Sequence, residues 1–113
     1  MALFTTVLAA NNANQYICDI HRRQASPYYV ATIMAYGTFS SGTVEIYISP
    51  DRGTTKIPLT LAPGSPAVTF TANGMVLVNF GNISSNNQTP LTVYAGISGA
   101  SSPSVTVAVY DNR

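Results

Sequence analysis

The sequence is poor in almost everything that carries charge. Only 8% of its 113 residues are Asp, Glu, Lys or Arg, against about 25% in a typical soluble domain. Five basic and four acidic side chains leave a formal charge of +1. That is too little Lys and Arg to neutralise several phosphates, so no nucleic acid is expected as a partner. A single cysteine, Cys18, excludes an internal disulfide framework and fits a reducing cytoplasm. No apolar run approaches the ~18 residues of a membrane helix, so no membrane partner is expected. The first ten residues hold neither Lys nor Arg, whereas a secretory signal opens on a basic region. No signal is expected there.

The same poverty argues against an enzyme. Cys18-Asp19-Ile20-His21 has a C-x-x-H spacing, but on a strand positions three apart face opposite sides. No further Cys or His exists to complete a zinc site. A Ser or Cys nucleophile needs a base oriented by a third group, and His21 is the only histidine. The carboxylates are Asp19, Glu45, Asp51 and Asp111. Asp51 sits where a turn favours Asp for its own sake, and the others suggest no acid–base pair. No catalytic residue, metal or cofactor is expected.

What the sequence does have is 13 Thr, 11 Ser and 9 Asn to wet the surface and 46% hydrophobic residues to fill a core. The length suits one domain. Period-two alternation runs through residues 44–49, 56–61, 68–71, 91–97 and 105–110, giving each run one apolar face, Ile57, Leu59 and Leu61 in the second of them, and placing Val44, Ile46, Ile48, Val93, Val105, Val107 and Val109 on inward phases. Met75–Phe80 is apolar on both phases and reads as a central strand covered on both faces. Tyr28–Tyr36 reads as a longer strand of the same kind, and Tyr16–Ile20 as a shorter one. Between them lies turn chemistry. Gly53 is placed for positive φ, and Asn73-Gly74 is the pair favoured in two-residue hairpins. About eight strands with no helical period predict an all-β chain with little or no helix. The expected architecture is a single antiparallel β-sandwich, jelly-roll or immunoglobulin-like, over residues 15–113, with a closed barrel as the alternative. Residues 1–14 form either an N-terminal arm or an edge strand.

Interface candidates follow from what is left over. Tyr47, Tyr94 and Tyr110 fall on the outward phases of their strands, where together they offer a platform for a protein partner or a sugar ring. Leu3, Phe4, Val7 and Leu8 precede an Asn- and Ala-rich stretch suited to tether an arm. Arg22-Arg23 is the only basic pair, available to an acidic neighbour in an assembly.

One segment carries a resemblance. In Val44–Leu59 an alternating strand leads into Ser49-Pro50-Asp51-Arg52-Gly53-Thr54-Thr55-Lys56 and a return strand. This resembles a hairpin of small virion proteins of tailed bacteriophages, whose pattern is Ser-x-Asp-Gly-Gly, then Thr and often Trp. Ser49, Asp51, Gly53 and Thr55 fit, Arg52 replaces the first Gly, and Lys56 stands where Trp is common. With the small all-β chain and its near absence of Lys, the whole resembles head decoration or cement proteins. The resemblance implies a non-enzymatic homo-oligomer, dimer or trimer, made in the host cytoplasm. It would sit on the outer surface of the head and bridge major capsid protein subunits. The alternative is a carbohydrate- or receptor-binding module of a phage tail or fibre.

Overall fold

A computed structural model describes residues 2–20, 29–62, 64–81 and 91–111. Within them the alternating stretches form nine strands: β1 (Ala2–Leu8), β2 (Asn12–Ile20), β3 (Tyr29–Thr38), β4 (Thr43–Ser49), β5 (Ile57–Pro58), β6 (Thr69–Phe70), β7 (Gly74–Gly81), β8 (Leu91–Ser98) and β9 (Ser104–Asp111). Pairing follows a simple rule. The first strand pairs with the last, β2 with β8, β3 with β7, and β4 with β5 and β6, all antiparallel. Rolling this long hairpin brings β3 beside β9 and β4 beside β8. The result is two sheets, sheet I with order β1-β9-β3-β7 and sheet II with order β2-β8-β4-β5. That wrapping is a jelly roll, the first of the two sandwich types expected. No helix among the described residues is long and apolar enough to cross a membrane.

The core lies between the sheets and uses the expected phases. Val44, Ile46, Val93, Val105, Val107 and Val109 are fully buried, and Ile48 packs against them partly exposed. Ala31, Ile33 and Ala35 of β3 complete the layer from sheet I. Each fully buried Ile or Val contributes about 1.5–3 kcal/mol of transfer free energy.

Four expectations need correction. Met75–Phe80 is not a central, doubly covered strand, because β7 is the edge of sheet I, with Met75 70% and Leu77 62% exposed. β3 is central in its sheet but covered on one side only, since Tyr36 is 46% exposed. Ile57, Leu59 and Leu61 do not share a buried face. Leu59 is buried, while Ile57 and Leu61 are exposed where short β5 leaves the sheet edge uncovered. Asn73-Gly74 makes no hairpin, because β6 belongs to sheet II and β7 to sheet I. The Asn73 amide oxygen instead accepts the Gly37 N–H at 3.0 Å, pinning this crossover to the end of β3.

The Asn- and Ala-rich stretch after β1 is held in place. Asn11 donates from its amide to the Ala100 carbonyl at 3.0 Å and accepts the Ala100 N–H at 3.1 Å. That two-bond clamp ties the β1–β2 turn to the loop before β9, and β2 begins at the next residue.

Candidate interaction surface

Strand register decides which side chains share the outer face of sheet I. Leu3, Tyr110, Thr32 and Leu77 form one cross-strand row. Thr5, Ala108, Met34 and Met75 form the next, and Val7, Thr106 and Tyr36 a third. Their strand neighbours Phe4, Leu8, Ala31, Ile33, Ala35, Val107 and Val109 point the other way, into the core. Five large hydrophobic side chains therefore stand open on one face: Leu3, Val7, Tyr36, Met75 and Leu77. None of the residues in these three rows is charged. At one end Met34, Tyr36, Asn73 and Met75 border an open hollow of about 350 Å³. Contiguous apolar surface of this kind marks an interaction site. Depletion of charge with Met and Tyr present is the composition of an interface centre.

The outer face of sheet II is built differently. Register sets Tyr16 beside Tyr94 and Tyr94 beside Tyr47 in one row. Tyr16 and Tyr94 meet edge to face at 5.9 Å. The turn after β4 then folds back over this row. Ser49 Oγ accepts the Gly53 N–H at 2.7 Å and donates to Asp51 Oδ1 at 2.9 Å, while the same carboxylate oxygen accepts the Thr55 N–H at 2.6 Å. These are the four residues that fit the phage pattern, and here they knit the turn together. Arg52 has φ +58° and Gly53 +100°, so the backbone requires the left-handed region at both positions where the pattern has glycine. Lys56 donates to the Gly53 carbonyl at 2.7 Å and lies 5.4 Å from the centre of the Tyr94 ring. A Cβ on Gly53 would sit 2.6 Å from the Tyr94 hydroxyl.

Charge collects on this side. Asp19, Glu45, Asp51, Arg52 and Lys56 lie on sheet II or its turn. The Thr55 N–H, together with other hydrogen bonds, holds the Asp51 carboxyl below the usual carboxylate range. Tyr16 donates to Asp19 at 3.0 Å, and burial, that bond and the Asp19 charge push its phenol up to about 12. Burial and a hydrogen bond to Glu45 raise Tyr47 in the same direction.

The residues singled out in the sequence thus separate. Tyr47 and Tyr94 share a row on sheet II, whereas Tyr110 belongs to the opposite face of the sandwich, so the three form no common platform. Sequence phase alone missed Tyr16, because two register shifts in β2 interrupt its alternation. Leu3 and Val7 are open on sheet I, while Leu8 is buried and Phe4 packs on the core. Cys18 is buried. Arg22 and Arg23, with His21, lie outside the described residues. Among the described residues no group of three His, Cys, Asp or Glu side chains is placed to hold a metal ion. No family model, curated protein or solved structure matches the chain.

Proposed function

We propose that this chain is a structural virion protein, a head decoration or cement protein. It binds the assembled phage shell with the outer face of sheet I and bridges major capsid protein subunits. The observation that carries the reading is that uncharged face, with Leu3, Val7, Tyr36, Met75 and Leu77 exposed on a four-stranded sheet. Neutral side chains lose little solvation on burial, so such a face suits repeated contacts whose individual strength is modest and whose avidity is high. The turn from Ser49 to Thr55 adds its resemblance to small phage virion proteins. Jelly rolls also build capsid and lectin domains, which is support at the level of fold only.

The alternative reading, a carbohydrate- or receptor-binding module, rests on the Tyr16–Tyr94–Tyr47 row. Lys56 and the 51–55 turn cover Tyr94, which leaves Tyr16 the most open ring of the three.

The test is co-sedimentation with purified heads of the phage whose genome carries this gene, beside titration with a glycan panel. The reading expects the wild-type protein to pellet with heads in fixed ratio to the capsid protein, and Met75→Lys to lose that binding while staying folded. Glycan binding without head binding would overturn it, as would a gene lying away from capsid, portal and terminase genes.

A further inference from the structure

The rows on the outer face of sheet I have an order of sizes. Read from β1 to β7 they run Leu3-Tyr110-Thr32-Leu77, Thr5-Ala108-Met34-Met75 and Val7-Thr106-Tyr36. The third row stops at β3, because the pairing of β3 with β7 ends at Ala35 and Gly74. The hollow bordered by Met34, Tyr36, Asn73 and Met75 lies at that end. Facing layers pack densely where large side chains meet small ones. A matching partner must therefore offer small groups to Tyr110, Met34, Met75 and Tyr36, and a bulkier apolar group to the hollow. The same face of this chain meets that description.

We infer that in free solution a second copy of the chain covers this face, the two sheets packed face to face about a twofold axis parallel to their strands. Such an axis lays each row on its own copy in reverse order. Tyr110 then meets Thr32 of the second copy, Met34 meets Ala108, Met75 meets Thr5 and Tyr36 meets Thr106, each contact occurring twice. Leu3 meets Leu77 at the margins. Val7 falls on the open fourth place of its row, over the hollow. A twofold axis running across the strands would instead set Met34, Met75, Ala108 and Thr5 each against itself, bulk on bulk and gap on gap. Area agrees with a second copy as the occupant. At the exposures of Leu3, Val7, Tyr36, Met75 and Leu77, closing the face removes about 600 Å² per copy from these five side chains, about 1,200 Å² in all, which reaches the size of a specific interface. The pair hides the face that the proposed function gives to the shell, so it must open before a head is bound. That consequence rests on the proposed function, and the pairing itself does not.

Sedimentation velocity of the full chain from about 1 to about 100 μM tests the pairing. The expected result is a monomer–dimer equilibrium. Met75→Lys and Thr5→Glu should each weaken it at least about tenfold with an unchanged circular dichroism spectrum, because each places an unpaired charge in the interface. Combined in one chain they should recover most of that loss. Within a chain the two positions lie on opposite edges of sheet I, and only across the dyad do the new charges face each other. A monomer across the whole range, a trimer or larger species, a dimer indifferent to the single substitutions, or a double variant no tighter than either single one would each overturn the pairing. A monomer that pellets with phage heads would overturn it and leave the proposed function standing. A dimer that behaves as described but ignores heads would keep the pairing and remove that function.

Discussion

The outer faces of the two sheets arise from the same strand alternation and end with different chemistry. On sheet II the chain covers its own surface. The Ser49–Thr55 turn lies over Tyr94, Tyr16 is hydrogen-bonded to Asp19, and the described side chains that carry charge gather there. On sheet I the corresponding rows carry Leu3, Val7, Tyr36, Met75 and Leu77 with no charge, and no described segment lies across them. One face uses its polar groups within the fold, and the other leaves apolar area exposed. Substitutions on sheet II should therefore be felt as stability, and those on sheet I as association.

The largest expected effect is at Tyr94. Its ring is packed by Tyr16, by Lys56 and by the Gly53 turn. Tyr94→Ala should lower the unfolding free energy by about 2–3 kcal/mol, somewhat below the range for a wholly buried aromatic. Leu77→Ala on sheet I should change it by less than about 0.5 kcal/mol. Urea denaturation at fixed low protein concentration measures both, and equal losses would erase the contrast between the faces.

A sharper version separates backbone strain from packing. Gly53 and Gly64 both have positive φ, at +100° and +82°, but a Cβ on Gly64 meets nothing within 4 Å. Gly64→Val should lose about 1 kcal/mol from strain alone. Gly53→Val should lose about 2 kcal/mol, because the new side chain must also displace the Tyr94 hydroxyl. If the two substitutions came out alike, the turn would not be seated on Tyr94.

Much of the fold was legible because inward phase is a local property. Val105, Val107 and Val109 are alternate residues of one strand, and no other fold of that strand keeps them together. Sheet membership is not local, which is why Tyr110 seemed to belong with Tyr47 and Tyr94. In a jelly roll the first strand meets the last, so pairing depends on contacts about a hundred residues apart. The reading of MVLVNF as doubly covered failed for an instructive reason. Two apolar phases in one strand suggest two covers, and the described residues supply one, which leaves Met75 and Leu77 exposed. Asn73-Gly74 misled in the opposite way, since its turn chemistry serves a crossover between sheets and a hydrogen bond to Gly37.

Charge on sheet II predicts a smaller, pH-dependent difference. Asp51 has its carboxyl lowered chiefly by the Thr55 N–H. A depressed folded value stabilises the fold above the ordinary carboxylate range, near 4, and the contribution disappears as pH falls through the folded value. Asp51→Asn should therefore be less stable than wild type at neutral pH, with the gap closing in acid. Unfolding midpoints collected from pH 7 downward measure it, and a gap independent of pH would mean that the turn does not depend on the carboxylate.

The smallest expected effect is at the alkaline end. Tyr16 is held protonated to about 12 by partial burial, by its bond to Asp19 and by that residue's charge, whereas an unfolded tyrosine ionises near 10. A raised folded value gives stability that is complete below about 10 and is lost as pH climbs toward the folded value, because the unfolded chain releases its proton first. Tyr16→Phe has no proton to release, so its stability should fall less steeply between about pH 10 and 12. The limb should not flatten entirely, since Tyr47 is raised for similar reasons. Met75→Leu, made on the uncharged face, should leave the limb as it is in the wild type. The measurement is the urea midpoint at closely spaced alkaline pH values, with tyrosinate absorbance at 295 nm followed in parallel. If Tyr16→Phe tracked the wild type throughout, the Tyr16–Asp19 bond would contribute nothing to the fold, and the polar side of the sandwich would rest on the Gly53 turn and Tyr94 alone.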